Sequence, residues 1–291
     1  MTTLLHRLVL PLALILALFI FITPSIYSSS TFKTVDWRDL SDRTLTETGE
    51  QALKVYGEAW QHAETEHFVY HFHDAKEAET VYVHAEAYYG WVKQMFGVQG
   101  DDNPRKSHIF IFEDREVWRS FNVRSAERLP GAEAFTNGFE LFIYREPFFL
   151  EPQRVLAHEI THLVLYRFVS GRVPLFLNEG FAEFMATKAI AMKADGDDFR
   201  VKTFQMIPEE EYIDLKDLGA FTDYPAAIAA QFYNQSELLV RFLLLNYRSE
   251  FFYMLLKLTA QGRPFHEALE EIYEMDLETL STKFRNYALT R

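Results

Sequence analysis

The residues of this chain best suited to chemistry are two histidines and a glutamate in Val155-Leu156-Ala157-His158-Glu159-Ile160-Thr161-His162-Leu163-Val164-Leu165-Tyr166. On a helix, His158 and His162 fall one turn apart on one face, with about 5–6 Å between Cβ atoms, so their imidazoles can converge on a point. Two neutral imidazoles at this spacing bind Zn²⁺, and the intervening Glu159 lies beside the metal's open position, where it serves as a base and not as a ligand. A His-Glu-x-x-His string also arises on ordinary solvated helix faces. Here Leu156, Ile160, Leu163, Val164 and Leu165 surround it, so the helix is expected to be largely buried. Buried imidazoles and carboxylates need partners, and a metal supplies them.

A catalytic zinc takes three protein ligands and leaves a fourth position for water. Downstream lies Leu177-Asn178-Glu179-Gly180-Phe181-Ala182-Glu183-Phe184, again with helix-compatible spacing and two carboxylates one turn apart. Glu179 is the candidate third ligand. Glu183 points the same way and is placed to accept the outer N–H of a ligating histidine, which fixes its tautomer and raises its basicity. The extended metzincin pattern requires Gly and His where this chain has Leu165 and Phe168, so that class is excluded.

The paired motifs, His158-Glu159-x-x-His162 and Asn178-Glu179-Gly180-Phe181-Ala182-Glu183, resemble those of the gluzincin peptidases, which include thermolysin-like and aminopeptidase-like enzymes. The rest of the chain is similar, more loosely, to compact peptidase MA-like domains. The resemblance implies an α+β, zincin-like fold with Zn²⁺ held by His158, His162 and Glu179, Glu159 as general base and Glu183 behind a ligand. The linker between the motifs is shorter than in the large aminopeptidases, so their substrate specificity does not carry over. The resemblance also points to Tyr233, in Phe232-Tyr233-Asn234-Gln235-Ser236, as a hydroxyl facing the metal. Since the chain has 15 tyrosines, a core aromatic on an amphipathic helix is the competing reading. Gly131-Ala132-Glu133-Ala134-Phe135 occupies the place of the strand that pairs with substrate backbone in these families. Gly131, Ala132 and Ala134 are therefore candidate substrate-binding residues, and an ordinary sheet strand is the alternative.

A chain of 291 residues, 48% hydrophobic and 16% aromatic, can bury a sizeable core. Its formal charge of −13 argues against nucleic acid and anionic lipid surfaces as partners, and favours a basic or neutral peptide as substrate. It has no cysteine, which excludes disulfides, thiolate ligands and a cysteine nucleophile. After a basic start at Arg7, Leu8 to Thr23 is an apolar run broken only by Pro11. The expected organisation is a signal anchor or signal peptide over 1–27, a linker over 28–48 and a metallopeptidase domain over 49–291, β-rich over 49–149 and helical over 150–291. With an uncleaved anchor the protein is single-pass, membrane-bound through its N-terminal helix and extracytoplasmic; with cleavage near Ser28-Ser29-Ser30 it is secreted.

Within the domain, Gly49 to His62 has helical character, and Glu66 to His73 alternates like a half-exposed strand. His67, His71 and His73 then share one face, which invites a second metal, although a polar face needs no ligand to explain it. A helix is expected over 75–96 with Gly97 as its C-cap, a buried strand over 107–112, and a hairpin over 134–144 turning at Asn137-Gly138. Helices follow over 225–246, 250–260, 265–273 and 277–287. Strands before residue 145 and helices after 150 make the fold α+β. The reading is a zinc-dependent hydrolase of peptide or protein substrates, using a zinc-activated water with a glutamate base. The alternative is a catalytically inactive zincin-fold binding module.

Overall fold

A computed structural model describes residues 32–101, 103–122, 132–144, 152–195 and 206–289. Five strands form one mixed sheet in the order β1-β2-β3-β5-β4. These are β1 (Gln61–Glu64), β2 (Phe68–Phe72), β3 (Ser107–Phe112), β4 (Ala134–Asn137) and β5 (Glu140–Tyr144). The inner strands β2, β3 and β5 run parallel, and β1 and β4 close the two edges antiparallel. β1 begins within the last two residues of the helix expected over Gly49–His62. The helix there, α1 (Glu47–Tyr56), begins where the Thr46 hydroxyl accepts from the Thr48 and Gly49 N–H groups, and it ends at Gly57 with φ 58°.

β2 is not the half-exposed strand its alternation suggests, because all five of its residues are buried. Phe68, Tyr70 and Phe72, with Ile109, Ile111, Leu141 and Ile143, belong to the main core with α2 (Ala75–Phe96). On the other face Phe110, Phe112, Phe142 and Tyr144 pack with Trp60, Ala52 and Trp118 of α3 (Arg115–Phe121). A parallel strand covered on both sides needs partners for any polar side chain it carries. The three histidines accordingly go to three different places. His67 Nδ1 lies 2.6 Å from Glu86, His73 stands against the Tyr56 and Trp60 rings, and His71 bonds to His62 and His108 at 2.9 Å each. They form no second metal group among the described residues.

The second half is helical: α4 (Pro152–Phe168), α5 (Leu175–Asp195), α6 (Leu215–Leu218), α7 (Ala229–Asn246), α8 (Ser249–Ala260), α9 (Phe265–Tyr273) and α10 (Leu277–Leu289). The architecture is α+β, with a mixed sheet followed by helices. Leu156, Ile160, Leu163 and Val164 bury one side of α4 in the main core, and α5 packs between α4 and α7. Gly180 of α5 meets the Ser236 carbonyl of α7 so closely that a Cβ there would collide with it.

The described part of the expected 28–48 linker is bound to the domain. Phe32 packs on Phe72 and Tyr82, Val35 donates to the His62 carbonyl at 2.8 Å, and Trp37 covers His62 and His71. Buried Glu140 accepts from both the backbone and hydroxyl of Thr46. The Ser, Thr and charge content that looked like a tether therefore supplies hydrogen bonds to the sheet. Gly131 and the apolar run before Thr31 lie outside the described residues. No helix among the described residues is long and apolar enough to cross a membrane.

Candidate metal centre

α4 presents His158 and His162 on one face, as their one-turn spacing requires. Their Nε2 atoms are 3.0 Å apart. Glu179, in the first turns of α5 beyond Pro174, completes a triangle, with Oε2 3.5 Å from His158 Nε2 and 3.7 Å from His162 Nε2. Zinc bonds of about 2.0–2.2 Å in a tetrahedron put neighbouring ligand atoms about 3.3–3.6 Å apart. Three edges near that length, from two imidazoles and a carboxylate, fit a zinc ion in both size and donor chemistry.

The remaining atoms of the ligands are held from behind. His158 Nδ1 is 3.1 Å from Glu183 Oε1, and His162 Nδ1 is 3.3 Å from Asn178 Oδ1. Both contacts make the outer nitrogen the donor and leave Nε2 with a lone pair facing the centre. Arg154, one turn before His158, pairs with the other oxygen of Glu183. Sequence reasoning gave no role to Arg154 or Asn178. Helical spacing from His158 to Arg154, and the position of Asn178 beside Glu179, were the signals that could have found them.

The electrostatics follow from this geometry. Burial works against a charged His158, but the carboxylates of Glu179 and Glu183 outweigh it and push its pKa up to about 10. Without an ion, a proton thus balances the two acids, and a metal that binds must displace it. Burial tends to raise Glu179 and Glu183, yet both carboxyls are held below their usual range by the histidines, helped by Tyr233 at Glu179 and Arg154 at Glu183. Glu159 behaves oppositely, because burial raises its carboxyl and the neighbouring histidines do not bring it back. Its Oε2 is buried with no hydrogen-bond partner among the described residues. An orphaned carboxylate oxygen beside an imidazole pair is suited to receive a proton.

The structure brings Tyr233 to the site. Its hydroxyl lies near enough to Glu179 to help hold that carboxyl down, and burial first, then Glu179 and Tyr224, raise its own pKa so that it stays a donor. The close approach of Gly180 to Ser236 sets this pairing, since Tyr233 stands one turn before Ser236 and Glu179 adjoins Gly180. Ala134 and Ala132 lie on and just before the edge strand β4. The Tyr144 N–H bonds the Glu133 carbonyl, so alternation along the antiparallel ladder turns the backbone groups of Ala134 and Thr136 away from β5, toward the open edge. Thr136 and Gly138 line a cavity of about 320 Å³ together with His162 and Glu179.

No curated protein matches the chain. The sequence profile of the Peptidase MA superfamily matches residues 105–290, a span holding both histidines, Glu159, Glu179, Glu183 and Tyr233. That match covers most of the chain and agrees with a mixed sheet followed by helices around a His-His-Glu centre, and the chain belongs to the Peptidase MA superfamily.

Proposed function

We propose that the chain is a zinc-dependent peptidase of the gluzincin type that hydrolyses peptide bonds in peptide or protein substrates. The observation that carries this reading is the convergence of His158, His162 and Glu179 on one point, with the unpartnered oxygen of Glu159 beside it. Bound there, Zn²⁺ supplies Lewis acidity, bringing water toward a pKa of about 7 and polarising the scissile carbonyl.

The chain's own residues do the rest. Glu159 takes a proton from the attacking water at its free oxygen and returns it to the departing amine, and its raised pKa brings it nearer the working range of a general base. Glu183 and Asn178 hold the ligand imidazoles in register, and Arg154 holds Glu183. Tyr233, protonated and aimed at the centre, donates to the oxygen that gains charge in the transition state. The outward backbone groups of Ala134 and Thr136, continued by Ala132, accept an extended substrate as an added strand.

The apolar run from Leu8 to Thr23 supports a single-pass membrane tether with the catalytic domain on the extracytoplasmic side. The acidic chain supports the exclusion of nucleic acid. Full-length protein loaded with zinc is expected to hold one ion per chain and to cleave peptides, and Glu159→Gln to keep the ion and lose turnover. Zinc stoichiometry near zero after reconstitution, or turnover retained in Glu159→Gln, overturns the reading. For the tether, the chain should sediment with membranes and resist high salt; a soluble chain beginning near Ser28 to Thr31 would show cleavage instead.

A further inference from the structure

The cavity beside His162 has a composition that the metal centre does not explain. Leu165 of α4 and Val169 just past its end, with Val173 of the connection and Leu175 at the start of α5, line it with aliphatic surface. Tyr166 is another wall residue, with its ring against Gly138 and edge-on to Phe139 at 5.0 Å. Gly171, at φ 114°, lets the connection pass against the Ala260 carbonyl where no side chain would fit, which anchors the lining to α8. A single cation, Arg172, stands among the lining residues. It is exposed, it donates to the Thr222 carbonyl at 2.8 Å, and no carboxylate pairs with it among the described residues.

We propose that this cavity is the subsite that selects an apolar substrate side chain on the N-terminal side of the scissile bond, and that Arg172 excludes basic side chains from it. The inference rests on the peptidase reading and deepens it. The direction comes from β4, which runs from Ala134 toward Thr136 and the cavity. An antiparallel added strand, the more stable pairing, runs the other way and brings its N-terminal part to the cavity. The size of the cavity suits one large side chain, and the aliphatic part of its lining offers a charged group no partner. A guanidinium with no carboxylate partner among the described residues adds repulsion against Lys and Arg, a specificity element independent of apolar contact. The negative net charge of the chain favours basic peptides at long range, and the cavity narrows that expectation where the bond is cut.

Two measurements on the full-length, zinc-loaded protein test this. Cleavage of a peptide library, with the cut sites read by mass spectrometry, should show Leu, Phe or Met favoured over Lys by about tenfold or more just N-terminal to the cut. Calorimetry with N-acetylphenylalanine hydroxamate and N-acetyllysine hydroxamate should show the same order of binding. Arg172→Glu should narrow or reverse the discrimination against lysine, and Val173→Trp should abolish the preference for phenylalanine while zinc stoichiometry is kept. Equal binding of the two hydroxamates, or an unchanged ratio in both variants, overturns the proposal. Peptide cleavage without an apolar preference at that position leaves the peptidase reading standing and sinks this one. Hydroxamate discrimination in a protein that cuts no peptide does the reverse.

Discussion

Gly180 and the Ser236 carbonyl meet where α5 crosses α7, closer than any side chain would permit. This contact lets Tyr233 reach Glu179, so a packing detail between two helices sets the geometry of the candidate centre. Gly180→Ala is expected to destabilise the fold by about 1–3 kcal/mol, because the obstructing atom is backbone and cannot swing aside, and this overpacking exceeds the better helix propensity of alanine. Denaturant unfolding gives the stability. An Ala variant as stable as wild type would show that the helices separate at no cost.

Behind His158, the pair Glu183 and Arg154 determines how well the imidazole is held. Glu183→Ala should weaken zinc binding by about 10–100-fold, in the range typical of lost partners behind a ligand. Arg154→Gln should weaken it less, since Glu183 keeps its bond to His158, and Arg154→Lys should recover part of that loss. Competition with a chromogenic chelator measures all three. Wild-type affinity in Glu183→Ala would remove the residue from the site.

Tyr233→Phe separates a transition-state donor from a packing residue. Loss of one such donor typically lowers the rate by about 10²–10³-fold, or roughly 2.7–4 kcal/mol, with substrate binding nearly intact. The hydroxyl also helps hold the Glu179 carboxyl down, so a modest fall in zinc affinity should accompany the loss. Turnover is therefore to be measured at saturating zinc. A wild-type kcat there would leave Tyr233 only the part of orienting Glu179.

Acid stability should report the imidazole chain under Trp37. His62 Nδ1 meets His71 Nδ1, and His71 Nε2 meets His108 Nδ1, so a neutral His71 donates once and accepts once. Burial lowers all three, with His71 well below its usual value and His108 at about 4. Asp36 near His62 and Asp42 near His108 act in the other direction, while Arg105 and Lys106 add to the depression of His108. The unfolded chain takes up protons near pH 6.5 that these three buried imidazoles refuse, so their contribution is flat above that pH and is lost below it. His108 alone accounts for about 3 kcal/mol between pH 6.5 and pH 4. In metal-free protein His158 has the opposite sign: its contribution is full below pH 6.5 and is lost as the pH rises toward 10. The difference between the pH profiles of wild type and His108→Gln isolates the chain, and identical slopes between pH 6.5 and 4 would refute its role.

The candidate ligands were legible before any fold was known because their relation is local. A helix places residues four apart on one face whatever surrounds it, so His158 with His162, and Glu179 with Glu183, needed only the helical period. The strand at 107–112 announced itself as a short apolar run, and the hairpin over 134–144 through its Asn137-Gly138 turn, whose Gly138 has φ 64°. β1 did not, because four residues of mixed polarity next to a helix carry too little pattern. The histidines in and beside β2 could not be read either: alternation tells which face a side chain takes, but not that both faces are covered. Residues 32–46 look like a tether in composition, and they are ordered by partners distant in the chain, such as Glu140 for Thr46 and Glu64 for Ser41. Tyr233 at Glu179, Arg172 at the cavity, and the open edge of β4 all depend on contacts between elements far apart in the chain. Such contacts are set by side-chain volume and close packing across interfaces, and a linear pattern of residue types does not encode them.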